Sequence, residues 1–356
     1  MTTTAEQVRA YRGPAVLSFG FRPFFLAAAV WAAISVALWL PMLAGEIALP
    51  TAFSPLDWHV HELLYGYVPA VVAGFLLTAV PNWTGRLPVV GGRLLALFVV
   101  WIAGRLAILV SQWIGQRTAA IVDLAFLVAL GAVIVREIIA GGDTRNLKVL
   151  VLVALLLTGN AAYHVEIALH SSGGYGTRIG IAAILLLIML IGGRIIPSFT
   201  RNWLAKRGPG RLPLAFGSFD VMAIAASGIA LASWVAWPDH AATALLSACA
   251  AVVNTWRMAR WAGDRTTAEP LVAVLHVGFA FVPIGFALVA LGIARPDIVM
   301  PTGALHAWTA GAIGLMTLAV MTRASLGHTG RPLTATRPVQ LIYLLAGVAA
   351  VARIVA

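Results

Sequence analysis

The chain has 356 residues, is 61% hydrophobic and only 10% charged, and carries a formal net charge of +11; its mean hydropathy is +0.93. An ordinary soluble domain, with about a quarter of its residues charged, is excluded, and the composition is that of a polytopic membrane protein. The single cysteine, Cys249, excludes intrachain disulfides, cysteine-ligated iron–sulfur clusters and thiolate-rich copper sites, so any metal must rely on histidine, carboxylate or methionine.

Cutting the chain where charges, prolines and glycines cluster leaves eleven apolar stretches, at 20–43, 58–80, 93–112, 117–139, 147–169, 178–198, 214–235, 241–261, 270–292, 303–322 and 335–355. Each is about 20 residues long, enough to cross a hydrocarbon core of about 30 Å as a helix. The first follows a polar, Arg-containing tail with no small-residue cleavage site after it, and is expected to be a retained span. Of the 24 Lys and Arg residues, 19 fall in the tail or around the connections after spans two, four, six, eight and ten. By the positive-inside rule the N-terminus is expected in the cytoplasm of a bacterial inner membrane. The basic charge then serves topology and contact with anionic head groups of the lipid bilayer, and no nucleic-acid binding is expected. The apolar run ending at Ala356 suggests a twelfth span beyond the eleven.

The connections after spans two, six and ten resemble one another. They contain Pro81-Asn82-Trp83-Thr84-Gly85-Arg86-Leu87-Pro88, then Arg201-Asn202-Trp203 with Gly210-Arg211-Leu212-Pro213, then Thr322-Arg323 with His328-Thr329-Gly330-Arg331-Pro332-Leu333. Recurrence every fourth span suggests a single transmembrane domain built from three repeats of four helices, 1–140, 141–262 and 263–356, the last incomplete. Short Gly-Arg-Pro turns arising independently are the alternative. By analogy of layout, twelve helices in three arcs of four is the plan of the catalytic subunit of heme–copper oxidases, whose own sequence motifs are absent.

Six of the eight histidines lie in or at the lip of the apolar stretches, where an ionisable group is costly and a functional role is the first expectation. His59, His61 and Glu62 open span two. Residues two apart on a helix point about 200° apart, so one histidine of the pair is expected to face the bundle, unless both are interfacial anchors beside Trp58. His306 opens span ten, ahead of small residues at 307, 310, 311 and 314 that would let a flat macrocycle or a close helix approach. Span five carries Asn160, Tyr163, His164, Glu166 and His170 in one half, a density that demands a wet or metal-bearing cavity. His164 is its buried candidate. His276 in span nine would serve a second site with Arg194, Ser198 and Arg201 at the end of span six, or is a satisfied core histidine. His240 and His328 fall in loops. No nucleophile elbow, phosphate-binding loop or c-type heme motif is present.

Phe21-Arg22-Pro23-Phe24-Phe25, Trp58-His59-Val60-His61-Glu62, Tyr163-His164-Val165-Glu166, Gly192-Gly193-Arg194-Ile195-Ile196-Pro197-Ser198-Phe199-Thr200, Leu275-His276-Val277-Gly278 and the run from Ala304 to Leu333 together resemble the NnrS family, membrane proteins of denitrifying and nitric-oxide-exposed bacteria described as containing heme and copper. The resemblance spans nearly the whole chain. It implies a twelve-helix bundle with heme b and copper and a role in nitric oxide metabolism or protection from nitrosative stress.

From position in the sequence, one of His59 and His61 together with His306 are the expected axial heme ligands. His164 and the other histidine of span two would hold copper, assisted by Glu62 or Glu166, and His276 with Arg194 would contact cofactor. As an enzyme the protein would reduce two nitric oxide molecules with electrons from quinol and protons through Glu166 or Glu62. As a sensor or scavenger it would bind nitric oxide once. Transport of copper, heme or a metal nitrosyl is the further alternative, against which the unlike repeat pattern argues.

Overall fold

A computed structural model describes residues 11–142, 146–170 and 174–356. Among these the chain is helical with no strand, as the apolar stretches require where backbone groups have no water to bond. Eleven long helices follow in order: α1 Phe21–Leu43, α2 Pro55–Thr84, α3 Gly92–Leu109, α4 Gln116–Ala140, α5 Leu147–Ala168, α6 Tyr175–Leu204, α7 Ser218–Ala236, α8 Ala241–Ala259, α9 Pro270–Ala294, α10 Pro301–His328 and α11 Arg337–Val355. Ten of them are long and apolar enough to cross a membrane. The exception is α8, whose buried face carries Thr243, Ser247, Asn254 and Arg257. The eighth expected span is therefore a helix of the expected extent with a polar buried stripe.

Local chemistry sets several of these ends. Ser54 precedes Pro55, and its hydroxyl accepts from the Asp57 backbone N–H at 3.2 Å, a serine cap followed by a proline whose missing N–H costs nothing in the first turn. Gly85 closes α2 in the left-handed conformation at φ 67°, which glycine adopts without penalty.

Helices α2 and α10 share an unusual plan. Each opens with a short α segment that ends on a histidine, Pro55–His61 and Pro301–His306. Each then passes through a π-helical stretch, Glu62–Tyr67 and Ala307–Gly314, before returning to α. Stretches of this kind are rare and concentrate at functional sites.

Packing divides the chain into two compact units, Met1–Gly180 and Ile181–Ala356. In the first, α3 packs on α4, α1 on α2, and α4 on both α2 and α5. A Cβ on Gly104 of α3 would come within 3.2 Å of the Asp123 backbone, so the glycine lets α4 approach closely and carries Asp123 inward. In the second unit, α8 packs on α7 and α9, and α10 packs on α9 and α11.

A buried histidine and carboxylate centre in the first unit

Four helices of the first unit converge on a charged cluster without solvent exposure: His61 and Glu62 from α2, Arg105 from α3, Asp123 from α4, and Asn160 and His164 from α5. The start of the π stretch at Glu62 lets two consecutive residues be buried in different company. Glu62 faces Arg105, whose Nη1 donates to its two oxygens at 2.7 and 2.8 Å, and Trp31, whose indole donates to Oε2 at 2.7 Å. His61 faces α4 and α5.

The two ring nitrogens of His61 have different neighbours. Nδ1 lies 2.9 Å from Glu62 Oε1, while Nε2 lies 3.2 Å from Asn160 Oδ1 and 3.3 Å from Asp123 Oδ2. A proton on Nδ1 is the one that Glu62 accepts, and it leaves the Nε2 lone pair pointing toward Asp123. This is the arrangement in which a carboxylate orients a metal-binding imidazole.

Asp123 is the hub. Its Oδ1 accepts from Arg105 Nη2, and its Oδ2 accepts from Asn160 Nδ2 at 2.7 Å and faces His164 Nε2 at 3.0 Å. One nitrogen each from His61 and His164 and one oxygen of Asp123 all lie within 4.8 Å of one another. An ion held at about 2.1 Å by tetrahedral ligands spaces its donors by about 3.4 Å. The separations to Asp123, 3.3 and 3.0 Å, are close to that.

The surroundings are aromatic. Phe53, Tyr65 and Tyr163 stand 5.2, 5.7 and 5.6 Å from the His61 ring, centre to centre. Tyr65 donates to the Gly176 carbonyl at 2.6 Å and Tyr163 to the Asp57 carbonyl at 2.9 Å. Both phenols are thus committed to backbone, and their rings close the cluster off from water. The Trp101 indole is likewise fixed, on the Gly66 carbonyl at 3.0 Å.

Of the residues singled out from the sequence, the structure brings together His61, Glu62, Asn160 and His164, with the Tyr163 ring beside them. His59 lies outside the cluster, stacked on Trp39 with ring centres 3.8 Å apart and planes 16° from parallel. Glu166 is occupied elsewhere: Oε1 accepts from the Tyr175 N–H at 2.6 Å and Oε2 from the Gly176 N–H at 2.9 Å. It caps α6, where free N–H groups and the helix dipole favour a carboxylate.

His306, His276 and Arg194 belong to the second unit. His306 is half-buried, and its Nδ1 is enclosed without a protein partner among the described residues. His276 Nε2 is 2.8 Å from the Thr200 hydroxyl, the bond of a satisfied core histidine. Arg194, Ser198 and Arg201 are exposed, and the Arg194 guanidinium lies over the Phe216 ring at 5.3 Å. The expected grouping of His276 with these three is replaced by Thr200.

Asp123 is the centre that the histidine-led sequence reading passes over. The signal was present, because a carboxylate in the middle of an apolar stretch is subject to the same cost argument as a histidine. Arg105, visible in the sequence as a lone charge inside span three, finds its partners only in three dimensions.

No curated protein and no solved structure matches this chain. A family model described as "NnrS protein" matches residues 15–356. The match covers nearly the whole chain and includes every residue of the buried centre, so the chain belongs to the NnrS family, whose members are membrane proteins of the nitric oxide response.

Proposed function

We propose that the first unit holds a redox-active metal ion on His61, Asp123 and His164, and that the protein acts on nitric oxide there, in the cytoplasmic membrane of a bacterium with its N-terminus inside. The observation that carries this reading is the convergence of two imidazole nitrogens and a carboxylate oxygen within 4.8 Å, fully enclosed in an apolar bundle. Charge supports it as well. With both imidazoles neutral, as metal ligation requires, Glu62 and Asp123 face a single guanidinium, Arg105, so one negative charge is left for a cation to offset, and an unmatched charge at that depth is costly.

Two imidazoles and a carboxylate suit copper and ferrous iron, and the family resemblance favours copper. The heme b that the resemblance implies needs an axial imidazole, for which His306 and His59 are the candidates outside the cluster. When bound, such a metal supplies a coordination position for nitric oxide, a small apolar gas that dissolves in lipid. The chain's own part is defined residue by residue. Glu62 accepts a hydrogen bond from the His61 Nδ1–H and fixes the ring, Asn160 and Arg105 hold the Asp123 carboxylate, and Phe53, Tyr65 and Tyr163 keep water out. Glu62, clamped by Arg105 and Trp31, serves as an orienting carboxylate. If nitric oxide is reduced, two molecules with two electrons and two protons give nitrous oxide and water, and a quinol would supply both electrons and protons.

The test is an optical spectrum of the purified, dithionite-reduced protein before and after anaerobic nitric oxide, with metal analysis on the same sample. Metal-linked bands that shift with nitric oxide support the reading, and consumption of nitric oxide with quinol then separates turnover from binding. A colourless preparation without copper or iron, from membranes grown with both metals, contradicts it.

A further inference from the structure

The second unit buries a different kind of polar feature. Helices α7 and α8 meet along a seam in which Thr243, Ser247, Asn254 and Arg257 of α8 are fully enclosed, as are Asp220 and Ser227 of α7. Their spacing of three, four or seven residues puts each set on one face, and from Thr243 to Arg257 the stripe covers about 21 Å at 1.5 Å per residue. Alanines fill the rest of the seam, at 223 and 230 on α7 and at 250 and 251 on α8.

The protein satisfies only part of this stripe. Asn254 Nδ2 donates to Ser227 Oγ at 2.7 Å and to the Ala250 carbonyl at 2.9 Å. Arg257 Nε donates to Asp220 Oδ1 at 2.7 Å and its Nη2 to the Met189 carbonyl at 3.1 Å. Ser247 Oγ, Asn254 Oδ1 and Arg257 Nη1 are buried with no hydrogen-bond partner among the described residues, while Arg260 Nη1 faces Asp220 Oδ2 at 3.9 Å. Each such buried atom is costly if it stays unpaired.

Three in one seam point to a ligand, and their chemistry selects it. They are a hydroxyl, an amide acceptor and a guanidinium donor, beside a carboxylate already paired with arginine. Arg257 disfavours a cation and Asp220 disfavours an anion. A small neutral molecule that both donates and accepts fits, and in a seam of alanine and serine that molecule is water, which settles where it finds two to four polar partners.

We propose that the α7/α8 seam is a hydrated channel, a file of water molecules bridging Ser247, Asn254 and Arg257 and running from the Thr243 end to the Asp220–Arg257 pair. The inference does not depend on the metal reading of the first unit.

The test uses silver ion, a thiol-specific cation close to water in size. In a Cys249→Ser background, Ser247→Cys and Ser227→Cys variants in native membranes are treated with silver ion, then denatured and labelled with a fluorescent maleimide. Silver is expected to abolish labelling of both, and to leave labelling of a Leu231→Cys control, on an apolar part of α7, unchanged. Labelling that survives at both seam positions, or is lost equally at all three, overturns the proposal. Water-edited solid-state NMR of the unsubstituted protein in lipid covers the case in which the variants do not fold. Rapid magnetisation transfer from water to the Arg257 guanidinium is expected, and transfer no faster than to the buried leucines overturns the proposal.

Discussion

Each unit buries an arginine against a carboxylate in a bundle of apolar helices, and the two pairs differ in what remains after pairing. Arg257 meets one carboxylate, Asp220, and is wrapped by Trp261, Phe279 and Phe216 at 5.3, 5.7 and 5.9 Å. Asp220 also faces Arg260 Nη1 at 3.9 Å, so no negative charge is left unmatched there. Gly193 of α6 leaves the space that the guanidinium fills. Arg105 meets two carboxylates, and these in turn face two histidines. A buried carboxylate already matched by arginine asks for no cation, whereas a surplus of negative charge beside two neutral imidazoles does.

The largest effect that separates the two regions comes from removing the cations and then the whole sets. Arg105→Met leaves two buried carboxylates and Arg257→Met leaves one, and each loss is expected to cost about 3–5 kcal/mol, read as a drop in thermal midpoint in detergent. Combining Arg257→Met with Asp220→Leu is expected to recover most of that loss, since well-packed apolar groups often replace a buried pair at no cost. Replacing Glu62, Arg105 and Asp123 together by apolar residues should recover stability in the same way but leave a protein that lacks the metal of that cluster. Equal metal content in the two recovered proteins would remove the distinction between the regions.

Glu62→Gln tests the orienting role. The amide keeps the shape, but its side chain no longer matches both the His61 N–H and Arg105, and metal affinity is expected to fall about 10–100-fold, as for other outer partners of ligand histidines. Competition with a chelator of known strength measures it.

Gly66→Ala is a smaller perturbation of the same geometry. The added Cβ would sit 2.5 Å from Arg105 Nη1 and 2.9 Å from Glu62 Oε2, and the strain is expected to cost about 1–3 kcal/mol. The signature to look for is weakened metal binding alongside the lowered thermal midpoint.

The smallest effect is expected from Glu166→Gln. Loss of the carboxylate cap on α6 should cost about 0.5–2 kcal/mol without altering the spectral response to nitric oxide. An abolished response with unchanged stability would return Glu166 to the catalytic role that its place in the sequence suggested.

Legibility in the sequence followed the physics of each feature. Helix positions were readable because the membrane imposes one length and one composition, and the ends of α1, α4 and α5 fall within a residue or two of where apolar character stops. His61 and His164 were readable as expensive groups in apolar runs. The choice between His59 and His61 was not, because it turns on stacking with Trp39, a residue of another helix. Asp123 and Arg105 form their pair across the loop between α3 and α4, and no periodicity records such a contact. The π stretches of α2 and α10 were hidden for a related reason, since a change of hydrogen-bond register leaves the apolar pattern almost as it was.

The central claim, that His61, Asp123 and His164 together hold a metal ion, is tested most directly by the copper and iron content of the purified protein beside its His61→Ala, Asp123→Asn and His164→Ala variants, with His240→Ala as a loop control. The account predicts that one metal bound by the unsubstituted protein and the control is lost from all three variants while the rest of the metal content stays. Unchanged copper and iron in the three variants would contradict it.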